Sequence, residues 1–93
     1  MPYISHERRE HFEELGVPVP DNGGELQYLI AVMIDQMLHE LYFTTEGVRY
    51  ADLEKIMGAL AGAQQEFYRK VVAEYEDKAI KRNGAVYQTK LYL

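Results

Sequence analysis

Ninety-three residues, 47% of them hydrophobic and none of them cysteine, make one small folded domain without disulfides or thiolate metal sites. A formal charge of −5 argues against general nucleic-acid binding, which needs a basic surface to neutralise phosphates. No cationic stretch followed by an apolar run opens the chain, and no apolar run approaches a membrane span, so a cytoplasmic protein is expected.

A domain this small buries a modest share of its surface, and oligomerisation is the natural supplement to its core. Charge is unevenly spread. Residues 1–68 hold 4 Lys/Arg against 12 Asp/Glu, whereas residues 69–93 hold 6 against 3. An acidic body with a mildly basic end suits a local anion pocket, above all where several basic ends meet.

In chain order, Pro2 keeps the first residues extended. Ser5 is an N-cap for a short helix over 6–15, with Glu7 well placed for the dipole and Gly16 as its stop. Val17-Pro18-Val19-Pro20 reads as extended, and Asp21-Asn22-Gly23-Gly24 as a turn. A second helix is predicted over 24–42. Its apolar positions include Leu26, Leu29, Ile30, Met33, Ile34, Met37, Leu38 and Leu41, more than one stripe, so it should be enclosed on several sides. One protomer has too few helices to do that, and a partner chain is the economical explanation.

Residues 43–48 read as a connection that turns at Gly47. A third helix is predicted over 51–82, stopped by Asn83-Gly84, with a bend near residues 58–62 as the alternative to a straight run. Its expected core face is Leu53, Ile56, Met57, Leu60, Gln64, Phe67, Val71 and Tyr75. The small residues Gly58, Ala59, Ala61, Gly62 and Ala63 suit close approach of another helix, since glycine inside a helix otherwise costs about 0.8–1 kcal/mol. Val86, Tyr87 and Thr89 favour extended structure, so residues 85–93 are predicted to be a short extended C-terminal arm. The expected architecture is all-α: a short-long-long helical hairpin that assembles as a homo-oligomer.

Asp35 and His39 stand four apart on the second helix, a spacing that fits two ligands of one metal ion. Two ligands do not make a site, and a plain Asp35–His39 pair is the expectation. His6, Glu7, Glu10 and His11 have similar spacing and read the same way. Catalysis finds no support, with no nucleophile elbow, phosphate loop or zinc-protease motif, and Ser5 as the only serine. Eight tyrosines suit interfaces and stacking surfaces. The candidate ligand site therefore gathers Tyr68, Arg69, Lys70, Tyr75, Lys78, Lys81, Arg82 and Tyr87. Cations would bind phosphate and tyrosines would stack on a base, although the same cations also complement a helix C-terminus.

The block Glu66-Phe67-Tyr68-Arg69-Lys70-Val71-Val72-Ala73, with Tyr75-Glu76-Asp77-Lys78, Ile80-Lys81 and Asn83-Gly84-Ala85-Val86-Tyr87, resembles a family of small uncharacterised proteins of tailed phages and prophages. Pro2-Tyr3-Ile4 and Gly24-Glu25-Leu26-Gln27-Tyr28 look similar too. Gln27 stands where such sequences more often carry asparagine, and residues 88–93 extend past the shared block. The resemblance implies a phage origin and no nameable enzyme activity. The functional expectation is a non-enzymatic, cofactor-free counter-defence protein that sequesters a host nucleotide signal, of cyclic-nucleotide or ADP-ribose type, between subunits. The alternatives are an inhibitor of a host factor acting through the acidic body, or an accessory dimer without ligand.

Overall fold

The computed structural model describes residues 2–93. Ser5 caps α1 (His6–Leu15), its hydroxyl accepting the Arg8 N–H at 3.3 Å. Gly16, at φ +83°, turns the chain out of the helix, its N–H donating to the Phe12 carbonyl at 3.0 Å. Glycine enters that left-handed region without a Cβ clash, which is why the helix ends there.

Helix α2 (Gly23–Thr45) starts on Asn22, whose side chain accepts the Glu25 N–H at 2.9 Å while the Glu25 carboxylate accepts the Asp21 N–H at 2.9 Å. That reciprocal cap fixes the first turn. The helix continues three residues past the predicted end. The Thr44 and Thr45 hydroxyls donate back to the Glu40 and Leu41 carbonyls at 2.6 and 2.7 Å, so the β-branched residues read as a connection join the last turn. Glu46 then takes the left-handed conformation at φ 64°, ahead of Gly47.

Helix α3 (Tyr50–Phe67) begins where the Asp52 carboxylate accepts the Arg49 N–H at 3.0 Å. It runs unbroken through residues 58–62, where a break or bend was the alternative. The irregularity lies later, in a π-helical turn over Tyr68–Val72 in which the Ala73 N–H reaches the Tyr68 carbonyl. Helix α4 (Ala73–Asn83) continues the rod until Gly84, at φ +91°. Phe67, Val71 and Tyr75 step by four residues and so overrun a 3.6-residue turn. The wider π turn absorbs the overrun and keeps the stripe in line.

The C-terminal arm departs from expectation. Thr89–Tyr92 closes one helical turn, α5, with the Leu91 N–H donating to Gln88 at 2.9 Å and the Leu93 N–H to Thr89 at 3.0 Å. With no strand beside it to supply partners, this short stretch satisfies its backbone locally. The described residues contain no strand, and none of their helices is long and apolar enough to cross a membrane.

Among the described residues none is buried. Ile30, Ile34 and Leu41 of α2 and Ile56 of α3 are half-buried and line the space between the two helices, and Leu38 is half-buried as well. The radius of gyration is 18.5 Å, against about 12 Å for a compact domain of this length. The accessible surface is 8872 Å², against about 5,500 Å² for a folded monomer of this mass. The expected core face of the third helix is therefore not a core within the chain. Leu53, Met57, Phe67, Val71 and Tyr75 remain 41–67% exposed, and only Ile56 and Leu60 of that set turn toward α2.

Candidate functional site

Two concentrations of chemistry lie on the α3–α4 rod, and a third feature lies between α2 and α3. The first is built on Glu66. Tyr3 Oη donates to its carboxylate at 2.6 Å, and Arg69, one turn on, donates through Nη2 at 2.7 Å and Nε at 3.2 Å. Glu66 is the shielded member, its side chain 20% exposed against 62% for Arg69. The Arg69 guanidinium, followed by the Tyr3 hydroxyl, holds the Glu66 carboxyl below the usual carboxylate range. The same contacts push Tyr3 and Arg69 up, in each case chiefly through the hydrogen bond to Glu66. Arg9 steadies the arrangement, with Nε donating to the Ile4 carbonyl at 3.0 Å and its guanidinium 6.0 Å from the Tyr3 ring.

The eight sequence-predicted ligand residues divide into three groups. Arg69 is paired with Glu66, and Tyr68 donates to Glu76 at 2.7 Å, a bond that raises the Tyr68 pKa. Tyr75, Lys78 and Arg82 share one face of α4 at i, i+3 and i+7, with Lys81 alongside and Lys70 on the π turn. Among the described residues, these four cations make no ion pair. Tyr87 is separate. It lies past Gly84, 80% exposed, beside a shallow depression that Glu76, Ala79, Ile80 and Asn83 line from the opposite side of α4. At about 100° per residue, the cation face and the Glu76–Ile80 side differ by nearly half a turn. Within the chain, then, Tyr87 and the α4 cations do not meet.

The third feature is apolar and was not singled out in the sequence. It is a groove of about 470 Å³ between α2 and α3, walled by Ile30, Met33, Ile34, Met37 and Leu41 on one side and Ile56, Ala59, Leu60 and Ala63 on the other, with Asp52 and Lys55 beside them. The signal was present in the spacing. Ile30, Ile34, Met37 and Leu41 follow a 4-3-4 pattern, and so do Asp52, Ile56, Ala59 and Ala63. The second set is hard to see because alanine carries little hydrophobic weight.

On α2, His39 Nδ1 sits 2.9 Å from the Asp35 carbonyl and 3.5 Å from its carboxylate, the pair expected from their spacing. Among the described residues no three or more His, Cys, Asp or Glu side chains gather to hold a metal ion.

No curated protein and no solved structure matches the chain. One family model does, the Domain of unknown function (DUF6899), over residues 1–86, which leaves Tyr87 and residues 88–93 outside the match. Because that match covers nearly the whole chain, the protein belongs to the DUF6899 family.

Proposed function

We propose that the protein is a non-enzymatic helical binding module that works as a homo-oligomer, its α2–α3 hairpin completed by other copies. The supporting observation is the 8872 Å² surface, about 3,300 Å² above the scaling for a folded monomer, in a chain with no buried residue among those described. Hydrophobic burial drives folding at roughly 25 cal/mol per Å², so leaving that much surface wet forgoes the main stabilising term. Light scattering on the eluting protein from micromolar to nanomolar concentration tests the reading. A mass at a multiple of the protomer supports it, and a folded, cooperatively melting monomer throughout overturns it.

A second reading is favoured by the α4 face. Tyr75, Lys78, Lys81 and Arg82 form an exposed basic surface with an aromatic ring, chemistry suited to a phosphate-bearing nucleotide. Tyr87 is separate within one protomer, so a shared pocket requires another subunit to bring it near. Together with the resemblance to phage proteins, this supports capture of a host cyclic-nucleotide or ADP-ribose-type signal in the cytoplasm as a counter-defence. Melting the protein with and without cyclic dinucleotides and ADP-ribose tests it. A ligand-dependent rise in Tm that Lys78→Ala and Arg82→Ala abolish supports it, and no rise with any of them removes it. A competing role, inhibition of a host protein through the acidic α1 region, predicts that charge reversal within residues 7–25 matters and that the α4 variants do not.

A further inference from the structure

We infer that a second copy of this chain closes the α2–α3 groove, groove facing groove, so that α2 and α3 of two copies form a four-helix bundle. The inference rests on the self-association proposed above and names the face that carries it.

Three observations choose this face and this occupant. Ile30, Ile34, Met37 and Leu41 on α2 follow a 4-3-4 spacing, and Ile56, Ala59 and Ala63 on α3 continue a 3-4 spacing that Asp52 opens at the groove's charged end, the repeat by which side chains of neighbouring helices interlock. The walls also differ in bulk. Branched and long side chains on α2 face alanines on α3, so a facing helix that supplies bulky residues can settle close to the α3 backbone. The groove's own α2 wall supplies such residues in Met33 and Met37, still 58% and 54% exposed, and a two-fold related copy brings the same residues to the empty side.

Area then decides between occupants. A small ligand filling about 470 Å³ covers a few hundred Å² at most. Obligate interfaces between identical chains remove about 2,000–5,000 Å² in total, about 1,000–2,500 Å² from each copy, which is a large part of the roughly 3,300 Å² excess on one chain. The neighbouring stripe of Leu53, Met57, Phe67, Val71 and Tyr75 is the rival face. It is interrupted by Gln64 and has a single helix behind it, whereas the groove already has two walls.

The experiment uses the full chain and its lack of cysteine. Ala63→Cys puts one thiol in the groove at little change in volume, and Lys90→Cys puts a control thiol on the exposed α5 turn. Each is labelled with a thiol reagent over a dilution series, with mass followed by light scattering. The expected result is labelling at least tenfold slower for the groove thiol than for the control while the protein is assembled, with the difference lost on dilution to protomers. Ile34→Asp should shift the mass downward by at least one step, and Met57→Glu on the rival stripe should leave it unchanged. Groove labelling as fast as the control in an assembled protein, or assembly lost only with Met57→Glu, overturns the groove assignment and leaves self-association standing. A folded monomer of the unaltered chain overturns both.

Discussion

Tyr3 Oη donates a 2.6 Å hydrogen bond to Glu66, 63 residues further along the chain, and Arg69 clamps both oxygens of the same carboxylate, sharing Oε1 with Tyr3. This contact ties the N-terminal segment to the end of α3, next to the π turn. Tyr3→Phe keeps the ring and removes the donor. The expected outcome is faster amide exchange at residues 3–5 with helix content by circular dichroism unchanged. Unaltered exchange would show that the hydroxyl does not hold the segment.

The same cluster sets a pH dependence. The Glu66 carboxyl is depressed in the folded chain, so its contribution is present above the ordinary carboxylate pKa and is lost as pH falls through the lower folded value. Tyr3 is raised, so its contribution is present below the ordinary phenol range of about 10 and is lost as pH rises through the higher folded value. The protection of residues 3–5, their amide exchange relative to the intrinsic rate at each pH, should therefore be greatest between those limits and fall off at both. Glu66→Gln should remove the acid limb, because no carboxylate remains to protonate.

Glu46 ends α2 at φ 64°, a conformation that costs a residue with a Cβ about 1–2 kcal/mol and glycine almost nothing. Allowing for the larger unfolded-state entropy of glycine, Glu46→Gly should stabilise the protein by about 0.5–1 kcal/mol. Chemical denaturation at fixed protein concentration reads this as a higher midpoint with an unchanged slope. A lower midpoint would show that the Glu46 side chain supplies something the backbone geometry does not reveal.

Gly58 lies inside α3 with open space around an added Cβ, and by helical phase it points away from the groove. Gly58→Ala should raise stability by about 0.8–1 kcal/mol and leave the oligomeric mass unchanged. A drop in stability or a change of mass would place a neighbouring helix against this side of α3.

Local chemistry carried the helices a long way. Ser5 and Gly16 bracket α1 at the predicted residues, and Gly84 ends the rod next to its predicted stop, because caps and left-handed glycines act within a few residues of themselves. The end of α2 was less legible, since threonine's low helix propensity was outweighed by hydroxyls that bond back to the preceding turn. The ligand residues show the same divide. Their basic, aromatic character could be read directly, but not that Glu66 and Glu76 would engage Arg69 and Tyr68, nor that Tyr87 would sit across α4 from Lys78.

By itself the sequence determined an all-helical chain whose second helix carries more than one apolar stripe, since periodicity and composition are properties of the residues taken in order. Tertiary structure decided which apolar face became a groove and which stayed outside. It placed the irregularity at Tyr68–Val72 and brought Tyr3 to Glu66. Those outcomes depend on helix phase and on contacts between residues far apart in the chain. A shift of one residue in a helix turns every face by about 100°, so neighbouring residues alone do not set them.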